Sequence, residues 1–76
     1  MKIVFEIPIE DLMHMLRLMQ GYFNVKVKKV KRSVVDEKKY LVTLIVKDFN
    51  IFEELIHILS YNKLLRNVVI IDVDGD

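Results

Sequence analysis

Two histidines carry side chains suited to acid–base or metal chemistry near neutral pH. His14 and His57 are the only histidines in the chain, and each stands four residues after a glutamate, Glu10 or Glu53. Residues four apart on a helix are neighbours, so each pair could hold a metal ion or act as an acid–base couple. A metal site needs further strong ligands, and the pattern offers no third one. We therefore expect two solvated helix faces with weak local ion pairs, and no metal.

Residues 26–32, Lys-Val-Lys-Lys-Val-Lys-Arg, form the one strong charge cluster. Such a run could follow a phosphate backbone or bind an anionic ligand. Sheets that bind RNA stack bases on aromatic side chains of their two central strands. Here Tyr40 stands at the start of one such strand and Phe5 shares the core-facing parity of the other. We therefore expect lysines that protect a sheet edge from aggregation, and no nucleic-acid contact. The nucleic-acid alternative would use Lys26, Lys28, Lys29, Lys31 and Arg32.

The composition excludes several classes of site. The 76 residues include no cysteine, which rules out disulfides and thiolate zinc sites. Lys and Arg number 12 and Asp and Glu number 11, a balance that gives no general attraction to nucleic acid or anionic membranes. The sequence has no glycine-rich phosphate loop, nucleophile motif or pair of catalytic acids. We expect a protein that is not an enzyme and needs no cofactor.

The chain lacks the sequence features of a membrane or exported protein. No apolar run approaches the roughly 20 residues that span a bilayer. The first residues do not resemble a signal peptide, because Glu6 and Glu10 interrupt the apolar stretch. We expect a cytoplasmic protein with no membrane contact.

The elements that position these residues form a strand–helix–strand unit that occurs twice. The first copy has an extended, a helical and an extended segment at 2–7, 9–20 and 22–33, and the second has them at 39–47, 50–61 and 67–74. Right-handed crossovers and a central hairpin convert this order into one compact arrangement. We predict a single α+β domain over 1–76, a ferredoxin-like βαββαβ sandwich. Its four-stranded antiparallel sheet has the order 4-1-3-2, with both helices on one face.

Local signals predict where the elements begin, end or bend. Gly21 favours a left-handed end to helix 1. Asn50 and Glu53 resemble a capping box at the start of helix 2, and Asn62 is a plausible left-handed terminator. The apolar alternation of strand 2 slips by one residue, which predicts a β-bulge near residues 28–29. The helix faces predicted to pack in the core are Ile9, Leu12, Leu16 and Met19 on helix 1, and Phe52, Leu55, Ile56 and Leu59 on helix 2.

The other face of the sheet is predicted to be apolar as well. Hydrophobic residues make up 53% of the chain, more than a two-layer domain of this size can bury. An exposed apolar patch usually marks an interface. We therefore expect a homodimer or a subunit that docks in a larger protein complex. The predicted interface residues are Val4, Leu41, Ile45, Val68 and Ile70.

The layout resembles that of the ACT domain, a small regulatory module of βαββαβ type. The best-matching segments are 40–48 (Tyr-Leu-Val-Thr-Leu-Ile-Val-Lys-Asp), 52–59 (Phe-Glu-Glu-Leu-Ile-His-Ile-Leu) and 65–73 (Leu-Arg-Asn-Val-Val-Ile-Ile-Asp-Val). They are similar to ACT units at the C-termini of bifunctional guanosine tetraphosphate synthetase–hydrolases. Residues 20–25, Gln-Gly-Tyr-Phe-Asn-Val, look like the segment that leads into strand 2 in that family.

The resemblance implies a regulatory module whose effector would be an amino acid bound at a dimer interface. ACT domains that bind amino acids usually carry a glycine between strand 1 and helix 1, where ligand approaches the backbone. Residues 6–12 of this chain contain no glycine and three acids, so the resemblance favours regulatory assembly over ligand sensing. The residues that it implies for ligand binding are Pro8, Ile9, Glu10, Asp11, Leu12, Gly21, Asn24 and Val25.

Overall fold

The computed structural model describes residues 1–22 and 24–75. Phe23, which the predicted second strand includes, and Asp76, the last residue of the predicted domain, lie outside the described residues. Four strands form one antiparallel sheet in the order β2-β3-β1-β4, which is the predicted order read from its other end. The elements are β1 (Lys2–Pro8), α1 (Ile9–Gln20), β2 (Val25–Arg32), β3 (Lys39–Val46), α2 (Phe49–Tyr61), a short 3-10 helix (Leu65–Asn67) and β4 (Val69–Asp74).

The core lies between the helices and one face of the sheet. On β1 the buried residues alternate, with Ile3, Phe5 and Ile7 fully inaccessible to solvent. Val42, Leu44 and Val46 alternate in the same way on β3, and they join the β1 residues in one cluster with side chains from both helices. Since alternate strand residues point to opposite faces, this cluster identifies the helix-covered face. We call the other face of the sheet the open face.

Helix α1 has the predicted bounds, but it presents a different face to the core. Its fully buried residues are Met15 and Met19, with Leu12 packed against them. Ile9, which we expected in the core, is 46% exposed. The Ile9 amide donates to the Lys38 carbonyl oxygen at 2.9 Å, and this bond holds the first helical residue at the rim of the sheet. The buried stripe therefore follows the spacing 12-15-19.

The first helix ends without a left-handed residue. Gly21 has φ −84° and ψ 0°, so the predicted left-handed cap is wrong. Its amide donates to the Leu18 carbonyl oxygen at 3.2 Å, and the next amide, from Tyr22, donates to Met19 at 3.1 Å. A further turn bond joins the Val25 amide to the Tyr22 carbonyl oxygen. These bonds delay the start of β2 to Val25, three residues later than predicted.

Helix α2 begins at Phe49, and its N-cap lies two residues before the predicted cap. Asp48 is the N-cap, and its carboxylate accepts the Ile51 amide at 3.0 Å. Asn50 lies inside the first turn, so the predicted capping box is wrong. A carboxylate in the cap position also interacts favourably with the helix dipole, which explains the preference for Asp48.

The end of α2 is close to the prediction but displaced by one residue. Asn62 is the C-cap with φ −88°, and its side-chain amide donates to the Ile58 carbonyl oxygen at 2.8 Å. Lys63, with φ 61°, is the residue in the left-handed region. The Asn62 side chain satisfies a free carbonyl of the last turn directly, so the reversal occurs at the following residue.

Two bulges bend the sheet. The pairing of β2 with β3 shifts between Val27 and Lys29, which confirms the bulge predicted near residues 28–29. The pairing of β1 with β4 shifts between Val4 and Phe5, because Val4 pairs with Asp72 and Phe5 pairs with Ile70. Ile71 is the extra residue of this second bulge, which the sequence analysis did not anticipate.

Candidate interaction surfaces

Strand β4 exposes most of its apolar side chains. Its exposed aliphatic residues are between 42% and 53% accessible, and none of the six residues of the strand is buried. The strand pairs with β1 along one edge. Within the described residues no strand pairs with its other edge, so backbone N–H and C=O groups are presented there. The aliphatic residues are Val69, Ile70, Ile71 and Val73; we call them the β4 edge.

The helices leave this strand uncovered. Helix α1 packs mainly on β1, β2 and β3, and α2 packs mainly on β3. Val73 pairs with Ile3 and Ile70 pairs with Phe5, so both lie on the helix side of the sheet, since directly paired residues share a face. They are nevertheless exposed, because the helices pack mainly on the other three strands. The sequence already indicated an exposed apolar edge, because the predicted strand order places the apolar fourth strand at the edge of the sheet.

The open face is more charged than predicted. Strand register aligns its residues in three rows across the sheet, each read in the order β2, β3, β1, β4. Lysine occupies the β2 position of every row, and aspartate occupies the β4 position of two. Apolar side chains form only a strip between these charges. The rows are Lys26, Ile45, Lys2 and Asp74; Lys29, Thr43, Val4 and Asp72; and Lys31, Leu41, Glu6 and Val69.

The five predicted interface residues do not lie on one surface. Val4, Leu41 and Ile45 are half-buried on the open face, as expected. Val68 instead packs against the hydrophobic core, because it precedes β4 and follows the 3-10 helix. Ile70 lies on the helix side of β4, because the bulge at Ile71 reverses the alternation. The expectation that Val68 and Ile70 belong to the open face is therefore wrong.

A lysine groove lies on the β2 side of the open face. Its cavity volume is about 440 Å³, and Val4, Leu41 and Thr43 line it between the lysines. Three of the lysines that line it, Lys28, Lys29 and Lys31, belong to β2. Among the described residues, these three form no side-chain hydrogen bond or ion pair. Glu6 lies on the same face, but its Oε1 pairs with Nζ of Lys39 at 3.6 Å and not with a lysine of the groove. The four groove lysines are Lys2, Lys28, Lys29 and Lys31.

Two members of the predicted nucleic-acid set are separated from this groove. Lys26 lines a neighbouring depression with Asn24, Ile45 and Lys47. Arg32 pairs with Tyr40 on the helix side of the sheet and donates to its hydroxyl oxygen at 3.2 Å. That hydrogen bond raises the pKa of Arg32. The groove instead gains Lys2, which sequence reasoning missed because it comes from a different strand.

The residues implied for amino-acid binding fall at opposite ends of α1. Residues 8–12 surround its start and Gly21 follows its end, and a helix of 12 residues is about 18 Å long. At the first end the Asp11 carboxylate accepts a hydrogen bond from the side-chain amide of Asn67 at 3.2 Å. The second end is a depression of about 150 Å³. Its lining residues are Gly21, Tyr22, Asn24, Val25, Ile51, Glu54, Leu55 and Ile58.

Both histidines lie exposed on their helices, as expected. The predicted ion pairs with neighbouring acids do not form among the described residues. In the same part of the chain, no group of three His, Asp or Glu side chains could hold a metal ion. None of the helices described is both long and apolar enough to cross a bilayer.

The sheet order and the two helices define a ferredoxin-like α+β domain. Comparison of the chain with protein-family models, curated proteins and solved structures finds no match. The surfaces of this domain that could bind a partner or a ligand are the β4 edge and the lysine groove.

Proposed function

We propose that this chain is a small ACT-like regulatory or interaction module that works by pairing with a second copy along β4. The observation that supports the proposal is the β4 edge, where four aliphatic side chains are exposed beside a strand edge with which no described strand pairs. Exposed apolar edge strands readily pair with another chain, and soluble proteins usually protect them with charges, bulges or a covering element.

The hydrophobic term favours association. Complete burial of one Val or Ile side chain contributes about 1.5–3 kcal/mol. Because these side chains are already about half covered, burial of the remainder would contribute roughly half of that for each residue. Each copy contributes its own four side chains to a symmetric interface. Backbone hydrogen bonds between the two strands add directionality and satisfy groups that otherwise face water.

A second copy fits this edge better than an unrelated strand does. A twofold axis perpendicular to the sheet brings the two β4 strands together antiparallel, and the pairing closes on itself. The product is a continuous eight-stranded sheet with a β2 strand at each end. Strand β2 is unsuited to further pairing, because lysines and a bulge occupy it. Growth therefore stops at the dimer.

An effector in this role would act on the dimer equilibrium, as the resemblance to ACT domains suggests. The depression between Gly21 and α2 suits a small apolar amino acid, since Val25, Leu55 and Ile58 line it. A ligand that binds the dimer more tightly than the monomer shifts the population toward the dimer. We place such a module in the cytoplasm.

The test is solution mass by sedimentation velocity over a range of concentrations. Wild type is expected at twice the chain mass of 9.1 kDa. Ile71→Lys is expected to be monomeric, because it places a charged side chain in the middle of the edge strand, and such charges disfavour pairing between edges. The matched control is Val34→Lys, a change at a hairpin valine that is 94% exposed and lies outside β4.

Two results would contradict the proposal. The first is a wild-type chain that remains at 9.1 kDa at the highest concentration measured. The second is a Val34→Lys variant that loses the dimer as completely as Ile71→Lys does. Circular dichroism of each variant verifies that loss of mass is not loss of folding.

A further inference from the structure

We infer that the lysine groove binds a compact anion that carries two or more phosphate groups. Three of its lysines come from β2 and the fourth, Lys2, comes from β1. The groove lies on the other side of the sheet from the helices, at the opposite edge from β4. The inference is thus independent of pairing along β4.

The lysines that β2 contributes to the groove are not neutralised by an ion pair among the described residues, and Glu6 is engaged by Lys39 instead. Like charges held around one cavity repel each other, and a multivalent anion relieves that repulsion while it accepts hydrogen bonds from the ammonium groups. The chain as a whole has a formal net charge of only +1, so this concentration of charge is local.

The bulge in β2 brings these lysines to one face. Without it, strict alternation would send Lys29 and Lys31 to the helix side of the sheet. The register shift after Val27 instead leaves Val30 opposite Val42, on the helix side. Lys29 and Lys31 then lie opposite Thr43 and Leu41 on the open face. Bulges that redirect side chains in this way are frequent beside functional sites.

Protection of the sheet edge does not explain the whole groove. Charges on β2 alone would protect that edge. Lys2, however, belongs to a central strand, two strands away from β2, and still lines the same cavity. Thr43 adds a hydroxyl group to the lining, and hydroxyl groups donate to phosphate oxygens. The floor formed by Val4 and Leu41 leaves the ammonium groups as the main polar contacts.

The surroundings favour a compact ligand over a nucleic acid. The three rows of the open face contain no aromatic side chain on which bases could stack. Toward β4 the same face carries Asp72, and along β2 the final cation, Arg32, is turned to Tyr40 on the other side. A polynucleotide that extends beyond the groove would therefore meet carboxylates and lose its cationic contacts.

The experiment measures binding of inorganic triphosphate by calorimetry and by its effect on thermal unfolding, with ionic strength held constant. Wild type is expected to bind it saturably and to melt at a higher temperature in its presence. Lys29→Gln/Lys31→Gln is expected to bind about tenfold more weakly or worse, because two of the four cations are removed. The matched control, Lys38→Gln/Lys47→Gln, removes the same charge outside the groove and should bind as wild type does.

Three results would overturn the inference. One is no saturable binding of triphosphate by the wild type. Another is an equal loss of affinity in both double variants, since that would indicate attraction to the whole surface. The third is tighter binding of oligouridylate whose affinity rises with chain length, which would identify a nucleic-acid surface. Oligouridylate that binds no more tightly than triphosphate, whatever its length, supports the inference.

Discussion

The two edges of the sheet differ in charge and in exposed apolar surface. Strand β2 carries four lysines and an arginine, whereas β4 carries four exposed aliphatic residues and two aspartates. Each of the two strands contains a bulge. Both are outer strands of the same sheet, so both present backbone groups that could pair. This chain therefore protects one edge with cations and leaves the other available for pairing. An edge-to-edge dimer can close only when a single edge is open.

Removal of the β2 lysines should have the largest effect. Lys29→Ile/Lys31→Ile gives β2 the aliphatic character of β4, so each copy then has two edge strands that can pair with another copy. We expect assemblies above the dimer mass that grow with concentration, measured by light scattering. Lys38→Ile changes the same residue type in the hairpin and should leave the mass unchanged. A double variant that still stops at the dimer would mean that the bulge alone protects β2.

Amide hydrogen exchange compares the two edges in the wild-type protein. Pairing along β4 should slow exchange of its outward amides by about a hundredfold relative to the Ile71→Lys variant, because exchange then requires the dimer to open. Outward amides of β2 should exchange at the same rate in both proteins. Equal rates on β4 in the two proteins would mean that β4 is not paired.

Dimerisation through β4 and anion binding in the groove should depend differently on salt concentration. The dimer constant should change little with sodium chloride, since the β4 contact is mainly apolar. Affinity for triphosphate should fall steeply over the same range, because lysine contacts to phosphate compete with salt. Both are followed by titration at several salt concentrations. A dimer that dissociates as salt rises would place charged contacts, and not aliphatic ones, at the subunit contact.

The smallest expected effect concerns α2, the helix that leads to β4. Asp48→Ala removes the carboxylate that accepts the Ile51 amide and should lower the free energy of unfolding by about 1 kcal/mol. Asn50→Ala should cost less, because Asn50 does not cap the helix. Urea unfolding of the Ile71→Lys background, which avoids the contribution of dimerisation, measures both. If Asn50→Ala lowered the free energy of unfolding more than Asp48→Ala does, Asn50 would be the capping residue, as the sequence predicted.

Much of the fold follows from periodicity. The alternation of Ile3, Phe5 and Ile7 identified the buried face of β1, and the bounds predicted for α1 are those observed. The helix face was harder to predict. Six leucine or methionine side chains crowd residues 12–19, so two adjacent stripes satisfy the same period, and packing on the sheet selected the one through Met15. The N-cap of α2 was predicted at the wrong residue, because Asp48 and Asn50 both have side chains that can cap a helix.

The candidate surfaces were only partly predictable. The lysines of β2 and the bulge among them are visible in the alternation of residues 25–32. Lys2 joins them only through the pairing of β1 with β3, and Ile70 changes face only because of the bulge at Ile71. Both effects come from register between distant segments, and a shift of one residue reverses every side chain that follows.

The sequence by itself determined the order of elements, the strand order and the surplus of apolar side chains. These follow from local periodicity and from the right-handed crossover rule, which need no knowledge of contacts. Only the tertiary structure decided where the surplus is exposed. The helices pack mainly on β1, β2 and β3, so the aliphatic residues of the last strand remain about half exposed. Coverage depends on how the helix layer sits on the sheet, and that position is a property of the packed chain.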